Sequence, residues 1–410
     1  MDGSTSNRPD EDVFDLGARK MAAGEMRLNN ERAVLTAVAT RQGVSGAEIA
    51  RRTGLGPQTV SRIISDLEER GLVLRGEVRR GHRGQPATPI LLNPGGAFSL
   101  GCEIGWRHME IVLRGLAGEI LAHHRRDYDF PHASSIFEEI GSLSRLMMGR
   151  LNAVEQHRVV GMGLAMPGGI ARNIDLVGGG PEDAASWRDL DSVKAMEKAT
   201  GLPVWLYNDG NAACWAELTA LPRPRPNNMC YFLVSTFICA GIIADGRLWE
   251  GPSGNSANMG SMIITDSAGQ PNFVHLVASL MALETKLRVA GLPVPTGDPQ
   301  RWDWSALEPV LSEWLNEAGK AIATAIANTG AVTEFPLAVV DGVMPRPIVE
   351  RLVERVRRHT AQLPTLTFDH VEIRSGIRGV SAPSIGAALL PVYRQLFSRE
   401  TGDIELSVRA

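Results

Sequence analysis

Apolar residues recur at helical spacing in residues 27–93 and predict three short helices followed by a pair of strands. Asn30 can cap the first helix, and Ser45 and Glu48 form a capping box that begins the second. A short glycine-bearing turn leads to Pro57, a favoured first residue of a helix. One face of this third helix is apolar and consists of Val60, Ile63, Ile64 and Leu67. The order of these elements predicts a helix–turn–helix.

The opposite face of the third helix carries small polar side chains and one arginine. These residues are Gln58, Thr59, Ser61, Arg62 and Ser65. In the major groove of DNA, arginine bonds a guanine edge, glutamine bonds an adenine edge, and serine or threonine bonds the phosphates. We therefore expect this face to contact base pairs.

Two apolar runs, 71–74 and 89–92, flank a basic segment that contains glycines. The basic residues near its tip are Arg79, Arg80, His82 and Arg83. Such a strand pair is typical of the wing of a winged helix, which presses on phosphates or enters the minor groove. Helix–turn–helix patterns also occur in helical bundles. Here, however, the capping box, turn, apolar stripe and basic wing follow one another within one stretch, which favours DNA binding.

Charge is unevenly distributed along the 410 residues, whose net charge is −4. Residues 27–93 carry a net charge of +5, whereas 1–26 carry −3 and 94–410 carry −6. A basic module on an acidic body indicates that one part of the chain meets a polyanion and the rest does not. We expect residues 1–26 to be a disordered tail and residues 27–93 to be the DNA-binding domain.

Composition excludes several classes of protein. Hydrophobic residues make up 44% and charged residues 21% of the chain, as in globular proteins. No apolar run is long enough to span a membrane, and the polar N-terminus does not resemble a signal peptide. The 4 cysteines form no C-x-x-C pair, which argues against a disulfide framework and a cysteine-based zinc site. We therefore expect a cytoplasmic protein with no membrane partner.

Beyond the basic module, short strand-like runs alternate with helical stretches, which indicates an α/β body. One of the long helical stretches covers residues 272–290. The pattern divides into two blocks without a sequence repeat, and we expect two lobes with a ligand-binding cleft between them. The first lobe is predicted to comprise 94–217 and 383–398, and the second lobe 218–382.

Two segments of the body are the most specific: N-D-x-N-A, which begins at Asn208, and G-I-I-x-D-G-R-L, which begins at Gly241. Together with "GCEIG", "GMGLAMPGGI", "IGAALLP" and the preceding winged helix, they resemble the ROK family (repressor, open reading frame, kinase) over about residues 27–398. The resemblance implies a two-lobed actin-like (ribonuclease H-like) sugar-kinase body. In kinase members this body binds a sugar and ATP, and in repressor members it senses a sugar or another ligand.

The two phosphate-binding loops of the resembling kinases are altered here. Their D-x-G-x-T turn is replaced by E-I-G-W-R, which puts Trp106 where a phosphate needs space. Their G-T-G-x-G-x-G loop works because bare backbone N–H groups close on an anion. It reads S-T-F-I-C-A-G in this chain, with Phe237 and Cys239 in place of glycines. We therefore expect no bound nucleotide cofactor and no kinase activity.

The family's G-E-I-G-H segment supplies a sugar-binding glutamate and a zinc-binding histidine. It reads A-N-M-G-S here, with Asn258 and Ser261 at those places. The cysteine cluster that completes the zinc site is absent, and zinc needs about four N, S or O ligands, so we expect no metal. Asn258 and Ser261 still suit a polyol as neutral hydrogen-bonding groups. A surface loop rich in glycine, serine and asparagine has the same composition, and both interpretations stay open.

Asp209 stands where the resembling kinases hold the general base for the sugar hydroxyl. A carboxylate does that only when a phosphoryl donor is held in line, so we expect Asp209 to accept a hydrogen bond from a ligand hydroxyl instead. Asp209 and Asn208 are also suited to cap the helix that follows. Gly168 either lets the backbone approach a ligand or only turns the chain. His275 lies near the lost zinc segment and is taken as a structural residue.

These observations predict a DNA-binding transcriptional regulator of carbohydrate metabolism, and the family favours a repressor. Its body is a degenerate sugar kinase that senses a sugar or a sugar derivative, and its dimers or tetramers bind a roughly palindromic operator. One alternative is an ATP-dependent sugar kinase with an accessory DNA-binding domain. Another is a regulator without a small ligand, whose body serves only for oligomerisation.

Overall fold

The computed structural model describes residues 23–41, 43–77, 88–364 and 371–397. Its N-terminal domain consists of three helices and two short antiparallel strands. These elements are α1 (Ala23–Thr40), α2 (Gly46–Thr53), α3 (Pro57–Glu69), β1 (Val73–Arg75) and β2 (Ile90–Leu92). The arrangement is the predicted winged helix–turn–helix.

The first helix begins earlier than the sequence predicts. It starts at Ala23, so Asn30 lies inside the helix rather than capping it, and the last residues of the expected tail are helical. Arg27 pairs with Glu31 one turn later at 3.1 Å, and such pairs stabilise a helix surface. Residues 1–22 lie outside the described part of the chain.

The turns of the N-terminal domain follow the sequence signals with one exception. The Oγ atom of Ser45 accepts a hydrogen bond from the N–H of Glu48 at 3.2 Å, as a capping box requires. The carboxylate of Glu48 pairs instead with Arg41 at 3.0 Å. Gly54 ends α2 in the left-handed conformation, with φ of 69°. The predicted apolar stripe of α3 is buried in full: Val60, Ile63, Ile64 and Leu67.

The first lobe is a five-stranded sheet flanked by helices. Its strands are β3 (Phe98–Ile104), β4 (His108–Gly115), β5 (Ile120–Asp127), β6 (Val159–Met166) and β7 (Val204–Asn208). The spatial order is β5-β4-β3-β6-β7, with an antiparallel meander followed by two parallel pairings. Its helices are α4 (Ala133–Met148), α5 (Ala153–Gln156), α6 (Ile170–Asn173), α7 (Pro181–Arg188) and α8 (Ser192–Thr200).

The second lobe follows α9 (Asp209–Ala220) and contains another five-stranded sheet. Its strands are β8 (Met229–Val234), β9 (Ile238–Ala244), β10 (Arg247–Leu248), β13 (Leu337–Gly342) and β14 (Glu372–Ser375). A separate hairpin consists of β11 (Ile263–Thr265) and β12 (Pro271–Phe273). The helices are α10 (Val274–Ala278), α11 (Leu280–Val289), α12 (Val310–Gly330) and α13 (Arg346–Thr360).

The two sheets have the same topology. In each, an antiparallel meander of three strands comes first, and two strands parallel to the first strand of that meander follow, giving β10-β9-β8-β13-β14 in the second sheet. This duplication is the actin-like, ribonuclease H-like architecture that the sequence predicts. It leaves no visible sequence repeat because buried strands need apolar residues of suitable size rather than particular ones.

Two helices cross between the sheets. α14 (Ala382–Leu396) packs on β3 and β6 of the first sheet, whereas α9 packs on β9 of the second. Glycines permit this close approach. A Cβ atom on Gly386 would lie 1.8 Å from the carbonyl oxygen of Ala212, and one on Gly210 would lie 2.2 Å from that of Ala240.

The N-terminal domain docks on the C-terminal end of α14. Val392 and Phe397 belong to the same apolar cluster as the core of the winged helix. The guanidinium of Arg32 donates to the carbonyl oxygens of Arg394 at 3.1 Å and of Gln395 at 3.3 Å. The winged helix and the body therefore share one core at this contact.

The helix predicted over 272–290 is divided into β12, α10 and α11. The chain breaks at Ser279, whose hydroxyl accepts a hydrogen bond from the N–H of Ala282 at 3.3 Å and caps α11. Residues that favour caps end helices that periodicity alone would continue.

All four cysteines are buried as free thiols. Within the described ranges, no group of three or more histidine, cysteine, aspartate or glutamate residues is placed to hold a metal ion. Among the helices that the structure describes, none combines the length and the apolar character needed to cross a membrane.

Candidate functional site

A cavity of about 530 Å³ lies between the two lobes, and we call it the interlobe cavity. It is lined by all five residues that the sequence proposes as ligand contacts: Gly168, Asn208, Asp209, Asn258 and Ser261. Three separate segments supply them, after β6, at the junction of β7 with α9, and after β10. The volume lies in the range of about 300–1,000 Å³ that is typical of small-molecule sites.

Asn208, rather than Asp209, caps α9. Its Oδ1 atom accepts hydrogen bonds from the N–H groups of Gly210 at 3.0 Å and Asn211 at 3.2 Å. Asp209 is the first residue of the helix, and its own Oδ1 accepts from the N–H of Gly210 at 2.8 Å. The capping interpretation therefore holds for Asn208, while the Asp209 carboxylate forms part of the cavity wall.

The Asp209 side chain is a buried carboxylate, only 5% exposed. Its Oδ2 atom accepts a hydrogen bond from the Cys239 thiol at 3.3 Å. Burial, together with the negative charge of Glu103, raises the pKa of Asp209 to about 6. Glu103 is also buried and lies 3.3 Å from Nε2 of His108. A carboxylate with a raised pKa is a strong hydrogen-bond acceptor, which suits a ligand hydroxyl.

Asn258 and Asn255 reach the interlobe cavity from the segment between β10 and β11. The Nδ2 group of Asn211 donates to the carbonyl oxygen of Gly254 at 3.0 Å and so attaches this segment to α9. Ala257 has φ of 65°, in the left-handed region that favours glycine. It stands where the family's G-E-I-G-H segment begins with glycine. The substitution keeps the glycine-like backbone and stores strain beside the cavity.

Gly168 lies against the same segment. A Cβ atom there would lie 3.0 Å from Oδ1 of Asn255, so the absence of a side chain permits this contact. An adjoining cavity of about 320 Å³ shares Gly168, Asn208 and Asn255 with the interlobe cavity. Asn208 and Asn255 therefore stand between two spaces that a ligand could enter.

His275 lines the interlobe cavity, although its sequence context suggests only a structural role. Its Nδ1 atom accepts a hydrogen bond from the N–H of Ile238 at 3.1 Å. Burial lowers the pKa of His275 to about 4, so the ring is neutral at physiological pH. The proton of that neutral ring then lies on Nε2, which is a hydrogen-bond donor. Proximity to the lost zinc segment was the one sequence signal for this residue.

The cavity lining combines rings with hydrogen-bonding groups. The rings are Trp106, Phe237 and Phe273, and the polar residues that sequence reasoning missed are Arg172, Asn173, Asn255 and His275. Apolar ring faces and a few convergent polar groups suit a ligand with both carbon–hydrogen and hydroxyl surfaces. A sugar has this character.

The two altered phosphate loops contact each other across the cleft. Trp106 lies between β3 and β4, and Phe237 lies between β8 and β9. Their rings meet edge to face, with centroids 4.9 Å apart and an interplanar angle of 68°. The two side chains are only 7% and 8% exposed. An apolar contact thus joins the lobes where the resemblance expects phosphate oxygens.

An ion pair beside these rings joins the same two lobes. The Nη2 atom of Arg107 lies 3.2 Å from Oε2 of Glu284 on α11, whose side chain is buried. The void lined by Arg107, Ser235 and Thr236 measures about 30 Å³. It is far smaller than the interlobe cavity and lies below the range of about 300–1,000 Å³ that is typical of small-molecule sites. We call this end of the cleft the phosphate side.

The predicted DNA-contacting residues of α3 lie opposite the buried stripe. Gln58, Ser61, Arg62 and Ser65 are exposed, and Thr59 is half-buried. β1 and β2 pair in antiparallel register, as the strands of a wing do, with Arg75 opposite Ile90. The basic residues proposed for the tip lie outside the described residues: Arg79, Arg80, His82 and Arg83.

Residues 99–392 match the ROK family, and residues 29–84 match the MarR family. The chain is 27% identical over 241 residues to the xylose repressor of Bacillus spizizenii, and the match covers 57% of this chain and 60% of that one. It is 26% identical over 307 residues to an N-acetylmannosamine kinase of Escherichia coli, covering 71% and 97% of the two chains.

A solved structure extends the likeness to the whole architecture. It is a ROK family transcriptional regulator described as a homolog of the Escherichia coli MLC protein. The TM-score is 0.67 at 18% identity, and the alignment covers 93% of this chain and 99% of the other. At this identity the likeness concerns the fold, here a winged helix joined to a two-lobed body. With the family match extending over well more than half of its residues, the chain belongs to the ROK family.

Proposed function

We propose that this protein is a DNA-binding transcriptional regulator of carbohydrate metabolism, a repressor, whose body binds a sugar without phosphorylating it. The winged helix supplies the DNA-binding surface, and the ROK body supplies the sensor. The names of the matching repressor and kinase both concern sugars, which supports a sugar as the ligand class.

One observation carries the proposal: the two ends of the cleft differ. The interlobe cavity is open at about 530 Å³ and brings the five expected ligand contacts together. The phosphate side is closed by the ring contact of Trp106 with Phe237 and by the ion pair of Arg107 with Glu284. This difference supports a sugar-sized ligand and argues against a bound nucleotide.

Retention of Asp209 does not by itself support catalysis. A general base activates a hydroxyl productively only when the electrophile is held in line with it. Phosphoryl transfer depends almost wholly on holding and neutralising the donor's phosphates. With that end of the cleft closed, the buried carboxylate of Asp209 acts in our proposal as a hydrogen-bond acceptor for the ligand.

Two packed helices connect the sugar site with the DNA-binding domain. α9 begins at Asp209, in the cavity wall, and Trp215 further along α9 meets Tyr393 of α14 edge to face at 4.7 Å. Tyr393 in turn contacts Phe397, which packs in the core of the winged helix. Ligand binding that shifts one lobe against the other therefore reorients the winged helix in our proposal. A change in DNA affinity on addition of the sugar measures this coupling.

We further propose that the protein works in the cytoplasm as a homodimer or a homotetramer. Paired helix–turn–helix domains read half-sites about 34–36 Å apart, so a small change in their spacing costs affinity. Ligand-dependent release from a roughly palindromic operator follows from this geometry. Sedimentation or light scattering of the full chain measures the oligomeric state directly.

The decisive experiment begins with the selection of bound sequences from a random DNA pool by the full chain. We expect an enriched, roughly palindromic sequence whose affinity falls at least about tenfold with one member of a sugar panel that includes xylose. Asn258→Ala should keep DNA affinity but lose the sugar response. Asn316→Ala, a matched change outside the cavity lining on α12, should keep both. Failure to enrich any sequence, at low salt with and without sugars, contradicts the proposal.

The kinase alternative rests on Asp209 and on the likeness to an N-acetylmannosamine kinase. Incubation with ATP, Mg²⁺ and the same sugar panel tests it. Turnover that disappears in Asp209→Asn would favour the kinase and overturn the claim that the body only binds. The third possibility, a body used only for oligomerisation, predicts that no sugar raises the melting temperature of the full chain.

A further inference from the structure

The interlobe cavity opens to solvent past large hydrophobic side chains. Three of its lining residues are nearly half exposed: Leu176 at 48%, Phe273 at 45% and Leu276 at 47%. A lining residue that is also exposed lies where the cavity meets solvent. We call these three residues the apolar rim.

Both lobes contribute to the apolar rim. Leu176 lies in the short 3₁₀ helix Ile174–Val177 of the first lobe. Phe273 ends β12 and Leu276 lies in α10, both in the second lobe. Single hydrophobic residues on a protein surface are ordinary and need no explanation. Here, however, such residues from two lobes line one cavity, which indicates that the cavity itself uses them.

The hairpin of β11 and β12 extends this apolar surface beyond the cavity. Ile263 on β11 pairs directly with Phe273 on β12 and is 66% exposed. Side chains that are directly opposite in an antiparallel pair point to the same face of the hairpin. Exposed apolar surface that continues from a cavity is typical of a ligand-binding groove.

The groups that suit a sugar lie elsewhere in the same lining. They are the buried carboxylate of Asp209 and the polar side chains of Asn258 and Ser261. The side chains of leucine and phenylalanine have no hydrogen-bonding group, so the apolar rim does not recognise hydroxyl groups. A free sugar held by the polar residues therefore leaves the apolar rim without a partner.

Arg172 also lines the cavity and is exposed, shortly before Leu176 in the chain. A guanidinium is attracted to the face of an aromatic ring, and its aliphatic stem packs on apolar surface. An aromatic ring beside Leu176 therefore has a second favourable contact that an alkyl chain lacks.

We propose that the ligand of the interlobe cavity is a glycoside whose aglycone is a neutral aromatic ring. The sugar occupies the polar residues and the aglycone packs on the apolar rim. The inference rests on the proposed sugar-binding function and names the ligand class of that site. The cavity volume of about 530 Å³ suits such a ligand, since pockets of about 300–1,000 Å³ hold drug-sized molecules. We favour this occupant over a second copy of the chain because the apolar rim is continuous with the proposed sugar site.

The contact required of the apolar rim is modest. A tenfold gain in affinity corresponds to about 1.4 kcal/mol. At about 25 cal/mol per Å² of apolar surface, this gain requires the burial of about 60 Å². An aromatic side chain buries about 150–250 Å² when it is fully enclosed, so partial contact with half-exposed side chains suffices.

The test compares methyl and phenyl glycosides, titrated calorimetrically into the full chain without DNA. The probes are the α and β anomers of methyl and phenyl xylopyranoside and glucopyranoside. We expect at least one phenyl glycoside to bind about tenfold or more tightly than its methyl counterpart. Leu176→Ser combined with Leu276→Ser should lower this ratio of affinities at least about threefold, because most of the apolar rim is lost.

Leu146→Ser is the matched control, because this leucine of α4 is 72% exposed and lies outside the cavity lining. It should leave the ratio unchanged. If the double variant does not fold, Leu176→Ser alone should still lower the ratio. Absence of a phenyl preference in every pair of wild-type titrations overturns the proposal.

Three further results would also overturn it. Equal weakening of methyl and phenyl glycosides in the double variant would show that the apolar rim only closes over the sugar. Tighter binding of glucose 6-phosphate than of either phenyl glucoside would show that Arg172 recognises a charge. A changed sedimentation coefficient of the double variant would assign the rim to contact between copies of the chain.

Failure of this inference is distinguishable from failure of the proposed function. Binding of methyl glycosides or free sugars without a phenyl preference rejects the aromatic aglycone and keeps the sugar site. Absence of binding by every glycoside and free sugar rejects both.

Discussion

The two ends of the interlobe cleft differ in volume and in the character of their side chains. On one side, Gly168, Asp209 and Asn258 line an open cavity of about 530 Å³ with polar groups. On the phosphate side, Trp106 packs edge to face against Phe237, and the void lined by Arg107, Ser235 and Thr236 measures only about 30 Å³. The proposed sugar site and the altered phosphate loops are therefore built from different segments of the same cleft.

The role of glycine in phosphate loops explains why the alteration of the cleft is confined to a few residues. A phosphate loop needs bare backbone N–H groups, and a single large side chain at such a position removes the site. At Phe237 the large side chain packs against Trp106 and supplies an apolar contact between the lobes. The open side needs no comparable change, because asparagine and serine still form hydrogen bonds with hydroxyl groups.

The largest expected effect comes from removing the ring contact on the phosphate side. Trp106→Ala should lower the free energy of unfolding by about 3–5 kcal/mol, because a buried indole and its contact between the lobes are lost. Chemical denaturation measures the change. Trp249→Ala is the matched control, since that indole is 43% exposed, and it should cost much less. Equal losses in the two variants would show that the ring contact does not hold the lobes together.

The open side should differ from the closed side in its response to pH. Burial raises the pKa of Asp209 to about 6 in the folded protein, above the ordinary value of about 3.9 for an aspartate, so the folded state binds its proton more tightly than the unfolded state. The resulting stabilisation is present in acid and lost as pH rises between these values. Asp209→Asn removes this pH dependence. Between pH 4 and pH 7, its free energy of unfolding should therefore rise by about 2–3 kcal/mol relative to that of the wild type.

Denaturation of Asp209→Asn and wild type across that pH range tests the prediction. Asp175→Asn, a change at an exposed carboxylate of the same lobe, serves as the control and should follow the wild-type curve. A constant difference between Asp209→Asn and wild type at every pH would mean that the carboxyl titrates normally.

A double-mutant cycle measures the interaction energy of the two rings on the phosphate side. Trp106→Ala and Phe237→Ala, alone and together, should show a coupling energy of about 0.5–1.5 kcal/mol beyond their separate costs. Edge-to-face geometry at 4.9 Å is the reason for this range. Additive costs would mean that the two rings are buried independently, and the lobes would then be joined by other contacts.

The smallest expected effect concerns backbone strain on the open side. Ala257→Gly should raise the free energy of unfolding by up to about 1 kcal/mol, because φ of 65° disfavours a Cβ atom. Gly254→Ala, in the same segment at φ of 74°, should lower it by a similar amount. A destabilised Ala257→Gly would show that the methyl group contributes packing that outweighs the strain.

The lining of the interlobe cavity was predicted better where its residues belong to a sequence motif than where they stand alone. The N-D-x-N-A segment placed Asn208 and Asp209 correctly at the start of a helix in the cavity wall. His275 and Asn255 were missed because their role depends on contacts between segments distant in sequence, with Ile238 and Gly168 respectively. Side-chain type alone does not distinguish such residues from surface polar groups.

The fold was predicted at the level of elements, and the errors occurred at their ends. Asn30 was expected to cap α1, but the helix begins at Ala23, and an ion pair between Arg27 and Glu31 spans the predicted start. The repeated topology of the sheets was not visible, because strand pairing leaves no residue signature. The lobe boundaries and the roles of the site residues remain predictions.

The central claim is that the cleft accepts a sugar but not a nucleotide. Calorimetric titration of Mg²⁺–ATP into the full chain, in the presence of the sugar that gives the largest thermal stabilisation, tests it most directly. We predict no binding of Mg²⁺–ATP at concentrations up to about 5 mM, while the sugar itself binds. Binding of Mg²⁺–ATP in the micromolar range, weakened by a bulkier residue at Gly105 beside Trp106, would contradict the account.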